Sequence, residues 1–441
     1  MKKLTREDGA SPDLVADNIE RLRDIFPEVF AEGRIDFDAL KQALGEAVDE
    51  REERYSFTWH GKRRAKQIAQ TPSTGTLRPC PEESVNWETT KNLFIEGDNL
   101  EVLKLLQKSY HRKVKMIYID PPYNTGKEFI YPDKWQDNLD TYLRYTGQVD
   151  DEGFKVSANA ETSGRYHTNW LNMMYPRLRL ARNLLRDDGV IFISIDDGEC
   201  SNLKKICDEV FGDENFIGNI IWQKKYAKQN DSKGFSVSHD HILLYARSVE
   251  NWQPNELPRT DAQLKNYKNP DNHPLGPWQS VVYTCNKTST ERPNLYYPII
   301  HPKTGLEVWP EKSRVWGCDK ERHQRNVEEG RVWWGESDDK PKPRLKAFLA
   351  EVKGGIVPDT LWLREDVGDT QESKRRIMEL FDGRPIFDTP KPIRLINRML
   401  QIAMSEREGI ILDFFAGSAS TADAVVKASA FTPRIVRQHS T

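Results

Sequence analysis

Asp120-Pro121-Pro122-Tyr123 stand directly after the apolar run Val114-Lys115-Met116-Ile117-Tyr118-Ile119. The two prolines restrict the backbone and carry no N–H, which leaves the Pro121 carbonyl as an acceptor beside the Asp120 carboxylate. Tyr123 adds a flat aromatic face. Two acceptors next to a ring suit a planar exocyclic amino group on a nucleobase. They take both of its N–H groups and favour a tetrahedral nitrogen, while the ring holds a base that has left its duplex. Asp-Pro and Pro-Pro are also ordinary turn dipeptides, so position has to decide. The position is the end of a buried strand, where parallel α/β sheets carry their ligands.

A second signal is Asp413-Phe414-Phe415-Ala416-Gly417-Ser418, following the strand Ile410-Ile411-Leu412. Glycine lets a ligand approach the backbone, and Ser418, Ala419 and Ser420 keep the way open to the N-terminus of the next helix. One such turn by itself is usually a plain loop. Paired with the tetrapeptide, it points to a second half of one site.

The elements that must position these residues follow from periodicity. Val15, Ile19, Leu22 and Phe26 form one helical stripe, and Phe37, Leu40, Leu44 and Val48 form another. Residues 51–82 are polar and carry Lys62-Arg63-Arg64 and three prolines, which reads as a linker with a basic patch. From Asn92 a βαβ pattern begins: a short buried strand at Leu93-Phe94-Ile95, Asp98 as an N-cap, a helix with Leu100, Leu103 and Leu106, then Val114–Ile119. A helix over Leu171–Leu185, a stop at Asp187-Asp188-Gly189 and a strand Val190–Ile195 continue it. Alternating helices and apolar strands imply a parallel α/β sheet covered on both faces. Residues 251–386 lose the alternation and hold seven of the 12 tryptophans, as an inserted domain would. The organisation reads as 1–90 helical region and linker, 91–250 tetrapeptide half, 251–386 insertion, and 387–441 glycine-turn half.

With 441 residues, at roughly 100–200 per domain, two or three domains are expected. No apolar run approaches the roughly 20 residues of a membrane helix, and the N-terminus lacks the apolar core of a secretory signal. The five cysteines form no C-x-x-C pair, so neither disulfide framework nor zinc site is indicated, and a cytoplasmic setting fits. A net charge of -3 excludes a globally basic nucleic-acid binder, so any polyanion must meet a local patch. Lys312, Arg314, Lys320, Arg322, Arg325 and Arg331 interleave with Trp316, His323 and Trp333, a mixture suited to phosphate and base contacts, although the tryptophans equally suit a small core. His239-x-His241 lacks a third ligand, which favours a structural role over a metal. Asp196-Asp197 either touches substrate or simply opens a helix.

With these residues in place, the chain resembles the β class of amino-methyltransferases that act on DNA with S-adenosylmethionine, whose motifs are D-P-P-Y and a D-x-F-x-G turn. Asn92–Asn124, the stretches GRYHTNWLNMMYPRL and DGVIFISIDD, and Phe387–Lys391 (FDTPK) are similar to the Mod subunits of type III restriction-modification systems. The likeness covers residues 90–250 and 387–429. It implies a Rossmann-like methyltransferase sheet of circularly permuted motif order, an inserted target-recognition domain and a helical N-terminal region. It further implies N6-methylation of adenine, with Asp120, Pro121, Pro122 and Tyr123 on the flipped base. Asp413, Phe415, Gly417 and Ser418 would line the cofactor pocket, with Lys391 at its amino-acid end and Asp98 near its adenine. Cytosine N4 stays open as the acceptor. Implied partners are double-stranded DNA, a restriction subunit of nuclease-helicase type and a second copy of the chain, with no membrane.

In that family a further strand follows the glycine turn and ends in an acidic residue. Here Arg434–Arg437 offers at most a stub of strand with no carboxylate at its end. The expectation is therefore a cofactor half that is incomplete, with a noncatalytic DNA-binding remnant as the alternative reading.

Overall fold

The computed structural model describes residues 11–31, 34–44, 56–125, 166–226, 234–338, 340–352, 354–404, 409–427 and 434–439. Its centre is an eight-stranded sheet. In chain order the strands are β1 (Leu93–Glu96), β2 (Val114–Ile119), β3 (Leu185–Ile195), β4 (Phe216–Gln223), β5 (His239–Ala246), β6 (Leu361–Trp362), β7 (Ile410–Asp413) and β8 (Arg434–His439). Their order across the sheet is β6-β4-β5-β3-β2-β7-β8-β1. All neighbours are parallel except at β5, which runs antiparallel to both β4 and β3. The expected all-parallel sheet is thus a mixed one. The exception is β5, which enters the sheet between β4 and β3 and runs opposite to both.

The helices relevant to the site are α1 (Leu14–Ile25), α2 (Phe37–Leu44), α3 (Lys62–Gln70), α4 (Asn99–Tyr110), α5 (Tyr166–Leu184), α6 (Asp197–Phe211), α7 (Thr370–Leu380), α8 (Ile393–Ala403) and α9 (Ser420–Lys427). Asp98 caps α4 as its sequence suggests, its Oδ1 accepting from the N–H groups of Leu100 and Glu101 at 3.0 Å each. The first core is continuous from α3, α4 and α5 through β2 and β3 to α6 and the turn after β7.

Several elements differ from the sequence reading. The supposed linker contains α3, whose buried face is Ala65 and Ala69. Small residues at i, i+4 bury well against a neighbouring helix yet give little apolar signal. Lys62 of the basic cluster pairs with Glu209 at 2.6 Å, and Trp59 Nε1 donates to Asn172 Oδ1 at 2.7 Å. Asp187-Asp188-Gly189 is not the stop of the preceding helix, which already ends at Leu184. It is an irregularity inside β3, where Val114 pairs with Leu185 but Met116 with Val190. A Cβ on Gly189 would lie 2.9 Å from the carbonyl oxygens of Arg186 and Val114, so glycine is required there. β1 forms where expected but as an exposed edge, with Phe94 58% accessible. Arg434–His439 is a six-residue strand rather than a stub, seated between β7 and β1.

The chain divides into two compact units, one of residues 1–255 and 358–441 and the other of Glu256–Val357. The insertion expected at 251–386 is therefore shorter: Leu361–Trp362 joins the large sheet beside β4, and Trp222 Nε1 donates to the Gly368 carbonyl at 2.9 Å. Trp252 and Trp362, read as part of the insertion, are buried residues of the first unit. The second unit is built on a three-stranded antiparallel sheet of residues 278–282, 332–333 and 344–348. Its core holds Tyr283, Tyr297, Ile299, Trp316 and Trp334. Among the described residues no helix is long and apolar enough to cross a membrane.

Ile117 is fully buried at the centre of β2. Ile117→Ala is expected to destabilise the first unit by about 2–5 kcal/mol, read as a lower urea midpoint, whereas Val426→Ala at an exposed position should stay within about 0.5 kcal/mol.

Candidate active site

β2 and β7 are parallel neighbours, with Met116 opposite Ile411 and Ile117 opposite Leu412. The next sheet strand after β2 is β3, on one side of this pair, and after β7 it is β8, on the other. The carboxyl ends of β2 and β7 therefore flank a topological switch point, the place where open α/β sheets leave a crevice. Asp120–Tyr123 emerges from one strand and Asp413–Ser418 from the other.

The tetrapeptide is clamped from below and behind. Trp170 Nε1, on α5, donates to the Pro122 carbonyl at 2.7 Å. Asn124 takes a left-handed conformation, φ 57°, and its amide donates to Glu199 Oε1 at 2.6 Å and to the Tyr166 carbonyl at 3.3 Å. Glu199 is buried in the first turn of α6, where the helix dipole favours an anion, and also meets His167 Nδ1 at 2.7 Å and Asn202 Nδ2 at 2.8 Å. The Pro122 carbonyl is thereby committed to the scaffold.

Asp120 itself is divided. Its Oδ2 accepts from Lys391 Nζ at 2.5 Å, while Oδ1 is buried without a hydrogen-bond partner. The same ammonium lies 5.1 Å from the centre of the Tyr123 ring, within cation–π range. The Tyr123 hydroxyl is likewise buried without a hydrogen bond of normal length, although the Asp120 carboxylate is close enough to act on it. Burial, and next the charge of Asp120, push its phenol well above the usual range, so it stays neutral. Lys391 follows the Pro390 carbonyl, which accepts from Ser373 Oγ on α7 at 2.6 Å. The lysine expected at a cofactor's amino-acid end thus sits on the tetrapeptide's carboxylate.

A second buried ion pair stands nearby and escaped the sequence reading. Asp240, 3% accessible on β5, accepts from Lys224 Nζ at 2.5 Å. Burial raises its carboxyl pKa, opposed by Lys224 and then Lys391 and reinforced by Asp120. The signal was an acid inside the apolar run His239–Ala246.

The turn after β7 is braced from within. Asp413 Oδ1 accepts from the Phe415 N–H at 3.0 Å and Oδ2 from Thr421 Oγ1 at 2.5 Å. Both carboxylate oxygens hold the turn, so Asp413 shapes the pocket edge instead of presenting an open acceptor. Gly417 has φ 48°, and a Cβ there would lie 3.3 Å from the Phe387 ring. Ser418 Oγ meets Ser420 Oγ at 2.9 Å. Asn99, the first residue of α4, donates to the Phe414 carbonyl at 2.8 Å and accepts from Arg177 Nε at 2.6 Å. Asp98 Oδ2 lies 3.7 Å from Arg177. Asn99 and Arg177, which no motif marked, thereby join α4 and α5 to the glycine turn.

A family model of DNA methylases, covering N6 and N4 methyltransferases, matches residues 114–430. The chain is 36% identical over 404 residues to the Mod subunit of the type III restriction-modification enzyme StyLTI of Salmonella typhimurium, covering 90% of this chain and 60% of that one. To the EcoP15I Mod subunit of Escherichia coli it is 32% identical over 416 residues, 86% of this chain and 63% of the other. To the type II methyltransferase M.KpnI of Klebsiella pneumoniae it is 30% identical over 355 residues, 76% of each. The chain spans about three fifths of the length of these two Mod subunits. Since the family model covers well over half of its residues, the chain belongs to the N6/N4 DNA methylase family.

Proposed function

We propose that this chain transfers the methyl group of S-adenosylmethionine to the N6 amino group of adenine in double-stranded DNA, as the modification component of a restriction-modification system. The observation that carries the reading is the meeting of Asp120–Tyr123 and Asp413–Ser418 at one switch point, with Asp120 Oδ1 buried and unpartnered. An acceptor in that state awaits a donor, and an exocyclic amino group brings two.

The surrounding residues fit the cofactor. Gly417, at positive φ beside Phe387, allows close approach to the turn backbone, Phe415 supplies apolar surface, and Ser418 supplies a hydroxyl. Lys391 is held on Asp120 Oδ2, so a cofactor carboxylate would share its ammonium with that pair, and Asp98 lies at the start of α4, which Asn99 binds to the turn. When bound, S-adenosylmethionine supplies a sulfonium methyl group that is already activated, so placement rather than acid–base chemistry is the demand on the protein. Asp120 and the Pro121 carbonyl orient the amino group, and Tyr123 stacks on the flipped base. Lys391 balances the Asp120 charge. The methylated nitrogen releases its proton to solvent water after transfer. A restriction subunit of nuclease-helicase type and a second copy of the chain are the proposed partners, and the cytoplasm the proposed setting.

The experiment is tritiated methyl transfer from S-adenosylmethionine to mixed-sequence DNA, with the modified nucleoside identified after digestion. N6-methyladenine is expected, and N4-methylcytosine would move the acceptor to cytosine. Asp120→Ala should lose at least about 100-fold in turnover, some 2.7 kcal/mol of transition-state stabilisation, while keeping cofactor affinity within about threefold by calorimetry. Full turnover in that variant would refute the assignment. Trp170→Phe, which removes the hydrogen bond to Pro122 but keeps a ring, should lower turnover by about 3- to 10-fold and leave the melting temperature within a few degrees; unchanged turnover would show that this clamp does not position the tetrapeptide.

A further inference from the structure

A separate set of ligating side chains meets at the carboxyl edge of the sheet, beside the end of β3. His239 and His241 alternate on β5 and so project to the same side. β5 lies against β3 with His241 opposite Ile195. The chain leaves β3 through Asp196, the N-cap of α6, and Asp197 opens the helix. Asp197 Oδ1 lies 2.8 Å from His241 Nε2 and 3.9 Å from His239 Nε2. All three donor atoms fall within 4.8 Å of one another. The histidine pair has no third ligand in its own stretch of sequence, and the fold supplies one from 44 positions away.

We propose that Asp197, His239 and His241 form a binding site for a divalent transition-metal ion of the zinc class, with water completing the shell. Two imidazoles and a carboxylate are a set that such an ion accepts, at bond lengths of about 2.0–2.2 Å. Those bonds separate tetrahedral donor atoms by about 3.4 Å, a distance that the two observed separations from Asp197 bracket. The third separation, between the two histidines, also lies within 4.8 Å. Among the described residues, the ion-pair partners of Asp197 are these two histidines. The nearby Lys224 is engaged with Asp240.

The outer shell also fits. His241 Nδ1 lies 3.0 Å from Asn219 Nδ2 and 3.2 Å from Asn219 Oδ1. Asn219 offers Nδ1 both a donor and an acceptor, so it can serve either tautomer of His241, including the one with its proton on Nδ1 that leaves Nε2 for a ligand. With metal on Nε2, the single ring proton relocates through solvent exchange from Nε2 to Nδ1, which then donates to Asn219 Oδ1, the kind of partner that a ligating histidine needs. Asp197 is 60% accessible and His239 35%, which provides entry, whereas His241 at 13% is the anchor. The ion would pin the start of β5 to the start of α6, two residues before the Glu199 that holds Asn124. The site does not rest on the methyltransferase reading.

The test uses the full chain freed of any histidine tag and stripped with chelator. Zinc is titrated by calorimetry, and cobalt(II) is followed by its visible absorption. One ion per chain is expected, with weak d–d bands of nitrogen and oxygen ligation and no thiolate charge-transfer band. His239→Gln and His241→Asn should each weaken binding by about 10- to 100-fold, and Asp197→Asn by at least about tenfold. His239→Gln alters a partly exposed side chain, so its metal-free circular dichroism and melting temperature should match those of the parent and separate ligand loss from misfolding. No saturable binding, a thiolate band, or affinity unchanged in both His239→Gln and Asp197→Asn would overturn the proposal.

Discussion

The parallel pairing of β2 with β7 is the constraint on which the site depends. Met116 stands opposite Ile411 and Ile117 opposite Leu412, all of them fully buried. Parallel neighbours lie about 4.8 Å apart, and each strand alternates its side chains between the two faces. Once those residues are in register, the two chain segments that follow must leave the sheet together. Asp120 and Asp413, nearly 300 positions apart in sequence, become neighbours for this reason alone. A slip of one residue would send the apolar side chains of β7 to the wrong faces, so the core that fixes the register also fixes the site. The chain between the motifs supplies the flanking strand β3 and the clamps at Trp170, Glu199 and Lys391, and the second unit is an insertion within it.

Electrostatics adds a second level. Asp120 with Lys391, and Asp240 with Lys224, put two carboxylates and two ammonium groups into a largely buried region. A buried ion pair recovers little more than the cost of desolvating it, so folding alone gives no reason for two of them. Their arrangement is better explained by what it leaves over. Lys391 takes one oxygen of Asp120, and the other oxygen and the Tyr123 hydroxyl remain buried without a hydrogen bond of normal length. Each such group costs about 1–3 kcal/mol. A ligand that donates N–H groups would offset that cost on binding, which ties these buried polar atoms to the chemistry proposed for them.

The parts of this structure that the sequence makes legible are those with strong local signals. β2, α4, the Asp98 cap and the two motif turns stand where periodicity and capping put them. The omissions share one physical cause, since their signal is long-range. α3 buries alanines, whose contribution appears only when α5 packs on them. β8 carries four polar or charged residues in six and gains its place from pairing with β7 and β1. The Glu199, Trp170 and Asn99 contacts to the site residues are single hydrogen bonds across 48 to 315 positions, a kind of link that no spacing rule detects. Asp413 was assigned to the pocket edge by resemblance. Geometry shows that both of its oxygens serve the turn.

The same distinction sharpens the second unit. Its tryptophans and basic residues interleave in sequence as they would in a nucleic-acid surface, but folding sorts them. Trp316 is fully buried in the core with Tyr283 and Tyr297, and Trp334 packs there too. Lys346 lies between the Trp278 and Trp333 rings and pairs with Asp271. Arg331 is engaged by Glu329 and Glu351, with two hydrogen bonds to the latter. A guanidinium held by two carboxylates is already neutralised and contributes little to counterion release on a phosphate backbone. Of the interleaved pattern, Trp316 thus belongs to the small core and Arg331 to its braces. A local basic surface in a chain of net charge -3 has to come from the remaining arginines and lysines, and their number is smaller than the sequence suggests.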